Sequence, residues 1–167
     1  MRILGIDPGL QKTGWGIIEV HGNALSFIAC GLIKTDAKAL LCERLRTLDD
    51  NLSVMIKEHA PDEAAIEETF VNKNPTSALK LGQARGVGMV VPARMGLMVA
   101  EYTANQVKKS IVGSGHAAKQ QMGMMVKTLL PAIPKNISED EADALAVAIC
   151  HAHHAASRIH RIGAQVS

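Results

Sequence analysis

The sequence contains no long hydrophobic run and no marked excess of one charge. No uninterrupted apolar stretch approaches the roughly 20 residues that a membrane-spanning helix needs, and the apolar start of the chain breaks at Asp7-Pro8-Gly9, which argues against a secretory signal. The 18 basic and 16 acidic residues leave a formal net charge of +2. This sum does not identify a nucleic-acid-binding protein, because the arrangement of charges steers a polyanion. We therefore expect a cytoplasmic protein.

Cysteine is also scarce, with only Cys30, Cys42 and Cys150 in the chain. The three lie far apart and match no zinc-binding spacing, so they are typical of packed or surface thiols in a reducing compartment. Three histidines lie close after the last cysteine, at positions His151, His153 and His154. Because this spacing also matches no compact zinc motif, we interpret the cluster as part of a fraying helix end.

The order of hydrophobic patterns predicts one α/β domain over residues 1–167, with a short C-terminal tail from about residue 156. No repeat, low-complexity segment or linker marks a second domain. Strands are predicted at 3–6, 13–20, 24–33, 64–66 and 97–100. Helices are predicted at 39–59, from Asn74-Pro75 onward, at 104–111, at 117–130 and from a capping box at Ser138–Glu141. Antiparallel strands followed by alternating helices and strands predict a mixed five-stranded sheet flanked by helices.

Acidic residues stand at the ends of two predicted strands. Asp7 follows the first strand and Glu67 follows the fourth, where ligands of open sheets commonly bind. Asp140 and Asp143 lie three residues apart on the last helix and therefore share a face. If this helix packs near the sheet, the four carboxylates converge. A divalent cation would relieve their mutual repulsion, and hard oxygen ligands suit Mg²⁺ or Mn²⁺.

Such a site would suit metal-assisted hydrolysis of a phosphodiester. Two ions about 3.5–4 Å apart can activate a water and stabilise the leaving oxygen, and no side-chain nucleophile stands out in the sequence. Spacing alone leaves structural alternatives open. Asp140 lies at a helix start, where acids commonly serve the cap and the macrodipole, and Asp7 is compatible with an Asx-type turn. Asp143 lies past the first turn, which favours a functional role.

Several segments resemble those of the RuvC-type Holliday-junction resolvases. They are Ile6-Asp7-Pro8-Gly9 with Thr13-Gly14-Trp15-Gly16, Ala65 through Phe70, Lys73-Asn74, Ser77 through Gly86, Glu101-Tyr102, Gln106-Val107-Lys108, Val112-Gly113, and Asp140 through Ala146. They occur in the family's order over nearly the whole chain, and the central run is highly specific. The resemblance implies an RNase H-like fold, a homodimer, and an endonuclease that resolves four-way DNA junctions in recombination and repair by paired, Mg²⁺-dependent nicks. It also implies two ions per site, for which Mn²⁺ can substitute.

The resemblance assigns roles to individual residues. Asp7, Glu67, Asp140 and Asp143 correspond to the metal ligands. Lys108 and Lys119 correspond to catalytic lysines near the scissile phosphate, where a cation offsets developing charge. Phe70, one of only two phenylalanines, corresponds to an aromatic residue that meets unpaired bases at the junction centre. Further candidate DNA contacts, for which a solvated helix surface is the alternative, are Lys73, Lys80, Arg85 and Lys109, together with Lys108 and Lys119.

The partners follow from the same resemblance: four-way junction DNA, a second copy of the chain, and the branch-migration helicase complex RuvA–RuvB. Gly82 and Gly86 on the predicted second helix would permit close packing, either inside the chain or across the dimer contact. Two positions depart from the expected pattern. Met98 replaces a proline of many relatives, and Gly123 falls inside a predicted helix at a cost of about 1 kcal/mol relative to alanine. The role of His116, as cap or phosphate contact, stays open.

Two other function classes remain as alternatives. A non-catalytic junction-binding module would keep the fold without cleaving DNA. A phosphotransferase of the actin-like class is compatible with the Asp7-Pro8-Gly9 turn, but such enzymes need two related domains around a nucleotide.

Overall fold

A computed structural model describes residues 1–68, 75–115 and 118–165; the side chains of Lys119 and of residues 156–165 are not part of that description. In chain order the elements are β1 (Arg2–Asp7), β2 (Lys12–His21), β3 (Ala24–Lys34), α1 (Leu41–His59), β4 (Glu63–Glu68), α2 (Pro75–Arg94), β5 (Met98–Thr103), α3 (Ala104–Val112), α4 (Lys119–Leu129) and α5 (Glu139–Gln165). The strands form one sheet in the order β3-β2-β1-β4-β5. β1, β2 and β3 pair antiparallel, whereas β4 pairs parallel with both β1 and β5. The predicted mixed five-stranded sheet flanked by helices is therefore confirmed.

Helices cover both faces of the sheet. Successive strand residues point to opposite faces, so Ile3 packs with α3, α4 and α5 on one side while Leu4 packs with α1 and α2 on the other. Ala65 and Ile66 of β4 divide in the same way. Because both faces are buried, the central strands are nearly continuous apolar runs. Glycines interrupt these apolar runs on the face that α5 covers.

α5 lies directly on the sheet because three strand residues beneath it have no side chain. A Cβ at Gly5, Gly14 or Gly16 would lie less than 3.0 Å from atoms of α5, a separation that real Cβ atoms essentially never show. Gly14 meets the first turn of α5, and Gly5 meets the helix one and two turns further on. The helix therefore crosses from β2 over β1, and its N-terminal turn is held at the edge where β1 ends.

The C-terminal half of α5 corrects one interpretation from the sequence. Cys150 and His151 are 0% and 1% exposed, so describing this cluster as a fraying helix end was wrong for both residues, although His153 and His154 are exposed. The reason is that α5 continues across the sheet as far as β4, where His151 Nε2 lies 2.5 Å from Glu63 Oε2. The helix runs on to Gln165, so the expected tail is helical up to that residue. None of the described helices has the length and apolarity needed to cross a membrane.

Candidate active site

Asp7 and Glu67 lie side by side at the ends of adjacent parallel strands. Ile6 of β1 pairs with Ile66 of β4, and the two acids are the next residues along each strand. By strand alternation they share the face of Gly5 and Ala65, which is the face that α5 covers. Both are half-buried. The sheet register therefore brings together two acids that are separated by 60 positions in the sequence.

Gly14 brings Asp140 to the same corner of the sheet. Gly14 is the register partner of Asp7 on β2. A Cβ at position 14 would lie 2.6 Å from the carbonyl carbon of Asp140 and 3.2 Å from its Cβ, so the first turn of α5 rests directly on this residue. In the sequence, Gly14 stands out only as part of the Thr13-Gly14-Trp15-Gly16 motif. The available signal was a glycine inside a strand, which marks close approach by another backbone.

The capping box at the start of α5 frees Asp140 from a capping role. The Ser138 amide donates a hydrogen bond to Glu141 Oε2 at 2.7 Å, and the Glu141 amide donates one to Ser138 Oγ at 3.3 Å. Burial opposes the charge on Glu141, but its hydrogen bonds with Ser138 outweigh that effect and hold the pKa of Glu141 below its ordinary value. The predicted cap is thus confirmed, and it is made by Ser138 and Glu141. The capping alternative for Asp140 loses its support.

The turn after Asp7 is closed by Thr13. The buried Thr13 hydroxyl donates a hydrogen bond to the Gly9 carbonyl at 2.6 Å and accepts one from the Gly9 amide at 3.3 Å. A side chain from β2 therefore holds the Pro8-Gly9 turn in place.

Asp143 lies one turn beyond Asp140 and lines a cleft between α4 and the start of α5. The cleft has a volume of about 420 Å³, and its lining includes Gly123 and Lys127 from α4. A Cβ at Gly123 would meet nothing within 4 Å. Close packing therefore does not explain why a glycine stands at this helical position. Asp143 itself is half-buried.

The four acids suit a hard divalent cation by the chemistry of their oxygen donors. Asp7, Glu67 and Asp140 are placed at one corner by the sheet register and by α5. Nevertheless, within residues 1–68, 75–115 and 118–165 no three His, Cys, Asp or Glu side chains are grouped closely enough to form a ready metal-binding cage. The sheet register and α5 bring three of the candidates to one corner. Asp143 lies one turn further along α5, in the cleft beside α4.

The candidate DNA contacts differ in how exposed they are and in whether the structure describes them. Lys80 on α2 and Lys109 on α3 are exposed, and Lys108 on α3 is half-buried. α3 begins directly after β5, whose last residue, Thr103, pairs with Glu68, so α3 starts at the edge that carries Glu67. Arg85 differs from the others because its guanidinium is bound inside the chain. Phe70, Lys73 and His116 lie outside the described residues, as does the side chain of Lys119, the first residue of α4.

Comparison with known proteins identifies the family of the chain. The family described as crossover junction endodeoxyribonuclease RuvC matches residues 3–151, a range that includes all four acids. The chain belongs to the RuvC family. Two RuvC proteins illustrate the similarity: that of Paramagnetospirillum magneticum is 62% identical, with 92% of each chain covered, and that of Mesorhizobium japonicum is 54% identical, with 97% of this chain and 95% of the relative covered.

Solved structures place the chain in the same RuvC group. RuvC of T. thermophilus in complex with a Holliday junction substrate has a TM-score of 0.88 at 31% identity, covering 94% of this chain and 96% of that one. The yeast mitochondrial Holliday junction resolvase Ydc2 has a TM-score of 0.63 at 12% identity, covering 89% of this chain and 76% of that one, and shows likeness of fold alone. The fold is therefore the RNase H-like fold of RuvC, as the sequence resemblance implied.

Proposed function

We propose that this chain is an endodeoxyribonuclease that resolves four-way DNA junctions by nicking two opposed strands. The observation that carries the proposal is the match to RuvC over residues 3–151. The register that sets Asp7 beside Glu67 and the contact of Asp140 with Gly14 support it. A non-catalytic junction-binding module would not need half-buried acids at adjacent strand ends. A phosphotransferase of the actin-like class would need two related domains around a nucleotide.

We propose Asp7, Glu67, Asp140 and Asp143 as the ligands of two Mg²⁺ ions, with Mn²⁺ as a substitute. Bound ions supply Lewis acidity and an activated water for in-line hydrolysis. The chain contributes the preorganisation: the sheet register holds Asp7 beside Glu67, and α5 holds Asp140 against Gly14, the register partner of Asp7. Their partial burial lowers the local dielectric, which strengthens their attraction for a cation.

The proposed DNA contacts are electrostatic apart from Phe70. Lys80 and Lys109 are exposed and available to phosphates. Lys108 and Lys119 are proposed to offset the charge that develops at the scissile phosphate, and Phe70 to stack on an unpaired base next to the catalytic strand. Binding through several phosphates should weaken steeply as the salt concentration rises.

A twofold homodimer is proposed through one face of α2. Leu79 and Val90 on this helix are 66% and 59% exposed, and a Cβ at Gly82 or Gly86 would meet nothing within 4 Å. Internal packing explains Gly88, where a Cβ would meet the side chains of Ile66 and Ile6, but it does not explain Gly82 or Gly86. This exposed face, formed by Leu79, Gly82, Gly86 and Val90, is named the α2 face below. A twofold dimer would present two sites for paired nicks.

A comparison of wild type with Asp7→Asn tests the function. A synthetic four-way junction should receive paired symmetric nicks in Mg²⁺, a linear duplex should stay intact, and Asp7→Asn should abolish cleavage. Asp50→Asn, which changes an exposed acid on α1, should cleave like wild type. Tight junction binding without cleavage in Mg²⁺ or Mn²⁺ would favour the binding module, and ATP hydrolysis would favour the phosphotransferase. Cooperation with the helicase complex RuvA–RuvB in the cytoplasm is proposed from the family.

A further inference from the structure

Arg85 connects α2 to the catalytic edge of the sheet. Its Nε donates a hydrogen bond to the backbone carbonyl of Glu67 at 3.3 Å. Its terminal nitrogen forms an ion pair with Glu101 on β5. Glu101 neighbours Ile66 in the β4–β5 register, so the arginine contacts two adjacent strands at the point where β4 ends. Its side chain is only 21% exposed.

We propose that Arg85 is a positioning residue that holds Glu67 in place for the reaction. The inference rests on the proposed function and deepens it. The carbonyl that Arg85 binds belongs to the catalytic residue itself, immediately before the chain leaves β4. Fixing this peptide fixes the Cα of Glu67, and with it the direction in which the carboxylate leaves the strand.

The chemistry of the pair explains why an arginine is used. A guanidinium presents several donors in a rigid plane, so it can bind a carbonyl and a carboxylate at once, which a lysine ammonium does with less geometric control. Glu101 is 41% exposed, so the ion pair adds little stability by itself. Its effect is to aim the guanidinium at Glu67 and away from solvent. The sequence predicted a DNA contact for Arg85, and this geometry assigns it an internal role.

The position of Arg85 on α2 also connects Glu67 to the proposed dimer contact. Arg85 lies between Gly82 and Gly86 of the α2 face, one residue from the second of them. Packing of a second copy against this face would act on the helix that holds the end of β4. Glu67 is thereby linked to the proposed dimer contact through one side chain, while Asp7 and Asp140 depend on β1, β2 and α5.

Single-turnover cleavage and Mg²⁺ binding test the proposal with four full-length proteins besides wild type. They are Arg85→Gln, Glu101→Gln, the double variant, and Arg94→Gln as matched control. Arg94 belongs to the same helix and pairs with Asp49 at 2.6 Å, far along the helix from Glu67. For each, we would measure the cleavage rate of bound junction over a range of Mg²⁺, junction affinity in EDTA at several salt concentrations, and the Mg²⁺-induced shift in Tm.

Arg85→Gln should lower the cleavage rate of bound junction about 10- to 100-fold, as loss of a group that orients a metal ligand typically does. It should also raise the Mg²⁺ concentration at half-maximal rate, shrink the Mg²⁺-induced Tm shift, and leave junction affinity at the wild-type value. Glu101→Gln should show the same changes more weakly. The double variant should be no worse than Arg85→Gln, and Arg94→Gln should match wild type in cleavage.

Two results would overturn the positioning role. If Arg85 is a DNA contact, Arg85→Gln will lose junction affinity and reduce the salt slope by about 1 while bound junction is cleaved normally. If it merely stabilises α2, Arg85→Gln and Arg94→Gln will lose Tm and activity in parallel, with no change in Mg²⁺ dependence. A wild type that fails to cleave would instead overturn the proposed function, and the Mg²⁺-induced Tm shift would still decide whether Arg85 positions Glu67.

Discussion

A methyl group at position 14 should separate Asp140 from Asp7. In Gly14→Ala the new Cβ would lie 2.6 Å from the Asp140 carbonyl carbon, whereas ordinary van der Waals contact begins at 3.4 Å. The first turn of α5 must therefore retreat by about 0.8 Å or more, because the obstacle is backbone and cannot rotate away. A displacement of about 1 Å at a catalytic group can cost about 100-fold in rate. Overpacking should also lower stability by about 1–3 kcal/mol.

The assay is single-turnover cleavage of a four-way junction in saturating Mg²⁺, at a temperature well below the Tm of every variant. Gly16→Ala is the matched control, since it lies on the same strand and face but would meet Leu145, five residues beyond Asp140 on α5, with Cγ at 2.6 Å, Cδ2 at 2.7 Å and the backbone nitrogen at 3.1 Å. We expect comparable losses of Tm in the two variants, and a much larger loss of rate in Gly14→Ala. Wild-type cleavage by Gly14→Ala, or equal rate losses in both variants, would refute the reasoning.

Four further predictions concern stability and assembly. Gly123→Ala should stabilise the protein by up to about 1 kcal/mol in urea unfolding, because the methyl enters open space in a helix; a loss of stability would show hidden packing there. His151→Phe should cost about 1–3 kcal/mol, because it removes two hydrogen bonds of a buried imidazole, to the Tyr102 hydroxyl at 2.9 Å and to the Glu63 carboxylate at 2.5 Å; an unchanged midpoint would contradict this. Glu141→Gln keeps the hydrogen bonds of the capping box but removes a negative charge from the first turn of α5, which should cost about 0.3–1 kcal/mol at neutral pH. Because the folded pKa of Glu141 is depressed, its contribution is present above its unfolded pKa and should vanish as pH falls through the lowered value; a pH-independent difference would argue against a charged cap. Gly86→Glu should shift the protein from dimer to monomer in sedimentation velocity, and a persistent dimer would place the interface elsewhere.

Local sequence patterns predicted helices and strands well where a single apolar face or a single cap determines the element. The capping box at Ser138 and Glu141 formed as expected, because it depends only on residues three apart. The third strand was predicted to end at residue 33 and ends at Lys34. β5 was predicted to stop at residue 100 but continues to Thr103. Its polar end is strand because Glu101 and Tyr102 pair with Ile66 and Glu67 of β4, a partner that no local pattern reveals.

The sequence by itself determined which chemistry is available. It places carboxylates after two strands and on one helix, and no side-chain nucleophile stands out. It also contains the segments that identify the RuvC family. These features depend on residue type and short spacing. The tertiary structure alone decided which distant residues meet. It placed Asp140 on Gly14, buried His151 against Glu63, and turned Arg85 inward to Glu67. Such contacts follow from sheet register and helix crossing, which arise only when the whole chain packs.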